Sequence, residues 1–198
     1  MAIQSAYLAP EGLTEPLLEE LEGVIAVHDR LILSSQPAKQ AHWAQNIWRN
    51  PQVFNIDSIN DAAKKLKAIQ RSWCLYSYQL HRRAKLIEEK LNTRQIKPQV
   101  FPSPLPQTPP GSFTLMDENT LLASAECSSP FPNGEAQFVE DKKGPPNRAY
   151  LKLYEALTLA GSQPQAGEFC IDVGGSPGGW AWVIHQCGAE VLSIDRSP

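Results

Sequence analysis

The stretch Glu168-Phe169-Cys170-Ile171-Asp172-Val173-Gly174-Gly175-Ser176-Pro177-Gly178-Gly179-Trp180 decides how the later part of this chain is read. It begins as a short apolar strand and breaks into glycines. Ala181, Trp182, Val183, Ile184 and His185 then continue as a helix, with Gly188 where a C-cap glycine belongs. Ala189 to Ile194 reads as a second apolar strand that ends at Asp195. The expectation is a right-handed, parallel βαβ unit, whose ligand crevice lies at the carboxyl ends of its strands. The glycine loop and Asp195 both fall at that end. Glycines let a backbone approach a ligand closely, and the unpaired N–H groups of a helix start attract a carboxylate or phosphate. Asp195 follows Asp172 by 23 residues, near the roughly 20 expected between such a loop and an acid that holds a ribose. This spacing points to an adenosine-containing cofactor.

A dinucleotide site prefers G-x-G-x-x-G, and here Gly174 is followed two places later by Ser176, with Pro177 next. A nicotinamide-dependent oxidoreductase fails on that pattern. The sequence D-x-G-x-x-P-G-G-W instead resembles motif I of S-adenosylmethionine-dependent methyltransferases, most closely the FtsJ/RlmM-like ribose 2′-O-methyltransferases of large-subunit ribosomal RNA. The residues that carry the resemblance are Asp172, Gly174, Pro177, Gly178, Gly179 and Trp180. It implies S-adenosyl-L-methionine as cofactor, with Asp172, Gly174, Ser176, Pro177, Gly178, Gly179 and Trp180 around the loop and Asp195 on the adenosine ribose. Read blandly, the glycines only turn the chain, Trp180 packs helix on sheet, and Asp195 is a solvated strand end.

The resemblance extends upstream through Ser129-Pro130-Phe131-Pro132-Asn133-Gly134 and Pro145-Pro146-Asn147-Arg148-Ala149-Tyr150-Leu151-Lys152-Leu153-Tyr154-Glu155-Ala156. Asn147 stands where the family usually has serine. Lys152 falls on the first lysine of the family's Lys-Asp-Lys-Glu catalytic set, on a helix expected to start near Asn147. Taken alone it would be an exposed helix lysine. The implied chemistry is attack by a ribose 2′-hydroxyl oxygen on a sulfonium methyl group. The family gives proton acceptance to its second lysine, so Lys152 assists by orientation and electrostatics.

Pro198 follows Asp195 by three residues, and a doubly wound domain needs more strands than two. The expectation is that the catalytic domain is incomplete here, and that the family's catalytic Asp, second Lys and Glu lie beyond this sequence. An uncovered βαβ unit would also expose sheet edges and an apolar face.

Outside this region the chain divides by charge. It has 198 residues, 42% apolar and 20% charged, with a formal charge of −3, which describes a folded chain and gives no whole-protein sign of a polyanion partner. A peptide hormone or disulfide miniprotein is excluded. Residues 64–97, however, hold ten of the eighteen Lys and Arg and only Glu88 and Glu89 as acids, a local +8. A helix is expected over Ile59 to Ile69, capped by Asp57 or Ser58, and another from about Leu75 to Leu91. Lys64, Lys65, Lys67, Arg82, Arg83 and Lys85, interleaved with Trp73, Tyr76 and Tyr78, are candidate RNA contacts, as is Arg148 further on. The alternative is the solvated face of ordinary helices.

Ala6 to Leu8 and Gly23 to Leu33 have strand character, with an acidic helix at Glu15 to Glu22 between them. Residues 1–97 are thus expected to be an α+β RNA-binding module, similar in role to the THUMP-bearing region the resemblance implies, although a full THUMP pattern is not visible. Six prolines between Pro98 and Pro110 suggest an extended linker over 98–111. Residues 112–144 are expected to form a hairpin and connection, with Asp117-Glu118-Asn119 as the turn. The start of a Rossmann-like α/β methyltransferase domain, incomplete, occupies 145–198. Cys74, Cys127, Cys170 and Cys187 show no C-x-x-C pair and no metal-ligand spacing, which fits free thiols in the cytoplasm. No apolar run is long enough for a membrane span. The competing expectation to an enzyme is a noncatalytic RNA-binding protein that retains the cofactor loop without turnover.

Overall fold

A computed structural model describes residues 2–91 and 97–196. Residues 2–91 and 106–135 form one compact unit, and residues 97–105 and 136–196 form a second. Arg94 of the basic segment lies outside the described residues.

The first unit is built on two sheets. Its elements in chain order are β1 (Ser5–Leu8), α1 (Thr14–Glu20), β2 (Val24–His28), β3 (Leu31–Ser34), β4 (Asn46–Arg49), β5 (Gln52–Asn55), α2 (Ile59–Ile69), β6 (Trp73–Leu75), α3 (His81–Leu91), β7 (Gly111–Leu115), β8 (Thr120–Ser124) and β9 (Glu126–Cys127). The first sheet runs β2-β3-β1-β4-β9 and is antiparallel throughout. Its strands alternate: Ala6, Leu8, Leu31 and Leu33 face a core that includes Trp48 and Leu122, while Tyr7 and Ile32 face α1 through Leu17. The second sheet runs β5-β8-β7-β6, with β6 parallel to β7, and carries α2 and α3 over Phe113, Leu115, Leu121 and Ala123.

The helix over Ile59–Ile69 forms as expected, and Ser58 rather than Asp57 caps it, its hydroxyl accepting the Asp61 N–H at 3.1 Å. Ala62, Ala63 and Leu66 make its buried stripe. At the other end the indole of Trp73 donates to the carbonyls of Leu66 and Gln70, both at 3.0 Å; Leu66 also accepts the Gln70 N–H, while Gln70 lies past the last turn, where carbonyls lack partners within the helix.

Four expectations need correction. Gly23 to Leu33 is a hairpin rather than one strand, because Asp29 turns the chain at a φ of 55°. The helix expected from Leu75 starts instead at His81: Trp73–Leu75 pairs with Gly111 to Phe113 as a parallel strand, and Leu80 has a φ of 49°. The hairpin after Ser112 is not a connection between modules. It supplies β7 and β8, the central strands of the second sheet, so the first unit extends to residue 135. Finally, residues 97–105 are not a free linker. Gln99 N–H donates to the Gln137 carbonyl at 2.7 Å and the Val139 N–H donates to Gln99 at 2.8 Å, while Phe101 stacks on Tyr154 with centroids 4.0 Å apart. Prolines delete donors, but Gln99 and Val139 keep theirs and these make the pairing.

The second unit contains α4 (Tyr150–Ala160), β10 (Phe169–Val173), α5 (Gly179–Gln186) and β11 (Glu190–Ile194). β10 and β11 are parallel, with Asp172 opposite Ser193 and Val173 opposite Ile194, so α5 is the crossover of a βαβ unit. Tyr150, Tyr154 and Val183 pack α4 on α5, joined by Phe138 and Trp182. Phe169, Ile171 and Val173 are exposed at 62%, 60% and 79%, and with Leu192 and Ile194 they form an apolar sheet face. Among the described residues no helix is long and apolar enough to cross a membrane.

Candidate cofactor loop and catalytic lysine

The loop between β10 and α5 is held by the end of β11. The Gly174 N–H donates to the Ile194 carbonyl at 2.7 Å, and the Ser176 N–H donates to Asp195 Oδ2 at 2.9 Å. Asp195, at the end of β11, thus reaches the centre of the loop.

The four glycines fall into two classes. Gly174 and Gly178 have φ values of 79° and 97°, and a methyl group built on either would meet nothing closer than Pro146 Cγ at 4.0 Å from Gly178. These two permit a backbone conformation that L residues rarely adopt and leave a backbone that a ligand can approach. Gly175 and Gly179 are buried and make room for protein: a methyl at Gly175 would overlap Ser193 Oγ and crowd Asp172, and one at Gly179 would overlap Asn147 Oδ1. Gly179, expected from sequence among the backbone contacts to a cofactor, thus also makes room for Asn147.

Asp172 is 5% exposed, and its Oδ2 is buried with no hydrogen-bond partner. A carboxylate oxygen so placed is stable only with a donor supplied from elsewhere. α5 adds donors, since the first N–H groups of a helix have no acceptor within it and its N-cap Gly178 makes no side-chain bond. An orphaned carboxylate oxygen, two open glycines and a second carboxylate at the strand end fit a ligand with an ammonium group at one end and a ribose at the other.

Lys152 is exposed on the first turn of α4. Trp180 is 42% exposed, yet its one polar atom is turned to protein: the indole N–H donates to the Ala149 carbonyl at 3.0 Å. This bond ties Trp180 to the start of α4 rather than to the sheet. Sequence reasoning missed Asn147, which accepts the Ala149 N–H at 3.0 Å and fills the space beside Gly179. The signal was present, since Asn147 departs from the family's serine.

The remaining candidates lie on other elements. Lys64 and Lys67 on α2 and Arg82 on α3 are exposed. Lys65 pairs with Asp61 at 2.7 Å, Lys85 with Glu88 at 2.6 Å, and Arg148 with Glu140 at 2.6 Å. Arg83 is half-buried, with its Nε shielded and unpartnered.

The FtsJ-like methyltransferase family pattern matches residues 145–198. The chain is 41% identical over 56 residues to ribosomal RNA large subunit methyltransferase M of Halorhodospira halophila, an alignment covering 27% of this chain and 16% of that protein. It is 35% identical over 83 residues to the protein of that name from Alkalilimnicola ehrlichii, covering 39% and 23%. With the Xanthomonas oryzae pv. oryzae protein it shares 30% over 148 residues, covering 70% of this chain and 39% of that one. The chain thus spans well under half the length of these curated relatives. Residues 145–198, which hold α4, the βαβ unit and its glycine loop, belong to the FtsJ-like methyltransferase family.

Proposed function

We propose that this chain contributes to an S-adenosylmethionine-dependent methyltransferase that modifies a ribose 2′-hydroxyl of large-subunit ribosomal RNA in the cytoplasm. The observation that carries this reading is the buried, unpartnered Asp172 oxygen beneath an open glycine loop that Asp195 closes from β11. S-adenosylmethionine, when bound, supplies an electrophilic methyl group on a sulfonium. Gly174, Ser176, Pro177 and Gly178 would line its methionine part, Asp172 would receive the ammonium group, and Asp195 would hold the ribose. Lys152 orients the 2′-oxygen and stabilises negative charge that develops there. In this reading the β10–β11 unit is the opening of a Rossmann-like domain.

The first unit would present RNA. Lys64, Lys67 and Arg82 are the cations best suited to phosphate, because they are exposed while Lys65, Lys85 and Arg148 are engaged by acids. The exposed apolar face of Phe169, Ile171 and Val173 favours a second reading, in which this chain by itself binds RNA and cofactor without turnover.

Calorimetric titration of the 198-residue chain with S-adenosylmethionine tests the proposal, with Gly178→Asp as the obstructed control. Micromolar binding that the control abolishes supports it, and radiolabelled methyl transfer to ribosomal RNA then separates the two readings. Absence of binding by the wild-type chain refutes the cofactor assignment.

A further inference from the structure

The carbonyl oxygen of Ala149 accepts two hydrogen bonds, one from its own helix and one from α5. The backbone N–H of Lys152 reaches it at 3.1 Å, closing the first turn of α4, and the indole N–H of Trp180, on the first turn of α5, reaches it at 3.0 Å. We infer that Trp180 is a positioning residue for Lys152: it pins the helix start that carries the lysine to the end of the glycine loop. The inference rests on the methyl-transfer reading for the role of Lys152, and on this geometry for the role of Trp180.

Three further contacts reinforce the junction. Asn147 Oδ1 accepts the Ala149 N–H at 3.0 Å, so both backbone polar groups of Ala149 are held. The same amide lies against Gly179, where any side chain would displace it. The Tyr150 ring meets the edge of Trp182, with centroids 5.5 Å apart, so the first turns of α4 and α5 are also packed together. No side chain caps α4 at Ala149, and a helix start without a cap frays readily. The bond from Trp180 does not offer the first N–H groups of α4 an acceptor, as a cap would; it adds a restraint on the Ala149 carbonyl from a neighbouring helix. A lysine has a flexible four-carbon stem, and fixing its backbone narrows the volume its ammonium can sample. The polar atom of the tryptophan that follows the two glycines is thus engaged by the start of α4.

The test uses the full chain with Trp180→Phe, which keeps an aromatic ring and removes the N–H, and with benzothienylalanine at position 180, which matches the indole in shape and carries sulfur in place of N–H. Three quantities are measured: the affinity for S-adenosylhomocysteine, the amide exchange rate of Lys152, and acetylation of its amine with and without S-adenosylhomocysteine. In both variants the Lys152 amide should exchange about fivefold faster, as expected for the loss of a hydrogen bond worth about 1 kcal/mol. The protection that the ligand confers on the Lys152 amine should fall at least threefold, while affinity changes less than threefold. A purely structural role would leave that protection intact. Wild-type exchange and protection in the benzothienylalanine variant overturn the inference, as does a tenfold loss of affinity with unchanged Lys152 exchange, which would make the ring a ligand contact. If the wild-type chain does not bind S-adenosylhomocysteine, the functional reading fails, and Lys152 exchange alone still decides whether Trp180 holds the helix start.

Discussion

Asp195 Oδ2 accepts the backbone N–H of Ser176 at 2.9 Å, joining the end of β11 to the middle of the loop that follows β10. A residue expected to hold a ribose thus also shapes the loop. Removing the carboxylate in Asp195→Ala should accelerate Ser176 amide exchange about fivefold, the equivalent of about 1 kcal/mol. Asp195→Asn, which retains an acceptor oxygen, should do so by less than twofold. If both variants weaken cofactor binding and neither changes Ser176 exchange, Asp195 serves the ligand alone.

The two classes of glycine predict two kinds of defect. Gly174→Ala meets no neighbour but must hold a φ of 79°, a strain of about 1–2 kcal/mol. Gly179→Ala should cost about 1–3 kcal/mol through overlap with Asn147. Adding Asn147→Ala should recover part of the second loss and none of the first. Chemical denaturation of wild type, Asn147→Ala, the two glycine variants and the two double variants measures the coupling, and strict additivity in the Gly179 pair would show that the clash is relieved elsewhere.

Ser58→Ala should lower the stability of the first unit by about 1 kcal/mol through loss of the α2 cap. Trp73→Phe strips the Leu66 and Gln70 carbonyls of their indole donor in a buried setting and should cost about 1–3 kcal/mol. Urea midpoints for each variant give both values.

If α2 and α3 present phosphate contacts, then Lys64→Ala, Lys67→Ala and Arg82→Ala should each flatten the slope of log affinity against log salt by about 1. Lys65→Ala and Lys85→Ala should change it less, because their ammonium groups already sit on Asp61 and Glu88. Fluorescence anisotropy with a ribosomal RNA fragment across a KCl series reads the slopes. Slopes identical to wild type in all five would make these helices solvated faces and nothing more.

Burial pushes the Cys74 thiol up to about 12 and also raises that of Cys127. Only the thiolate alkylates, and this upward shift leaves very little of the Cys74 thiol ionised at pH 8. Cys74 and Cys127 should therefore be the last of the four to react in an iodoacetamide time course followed by mass spectrometry. Early modification of Cys74 in the native chain would contradict its packing.

Local signals sufficed for the parts of this protein whose contacts are close in sequence. The apolar run before Gly174, the glycines, the helix and the strand ending at Asp195 read directly as a βαβ unit, because strand, turn and crossover helix each carry their own periodicity. Ser58 with the stripe Ala62, Ala63 and Leu66 defined α2 in the same way, and Asp117 to Asn119 marked the turn between β7 and β8. Tertiary structure decided what depends on partners far along the chain. Trp73–Leu75 is a strand only because Gly111 to Phe113 lies beside it, and its own residues suit a helix start equally well. Residues 97–105 join the second unit because Gln99 finds Gln137 and Val139, and Phe101 finds Tyr154. The four loop glycines look alike in sequence, and only the positions of Asn147, Ser193 and Asp172 separate those that make room for protein from those that leave backbone open to a ligand. For the same reason the hold of Trp180 on the start of α4 was invisible in the sequence. The acceptor that claims its N–H, the Ala149 carbonyl, lies 31 residues away and is a backbone atom that no side-chain pattern records.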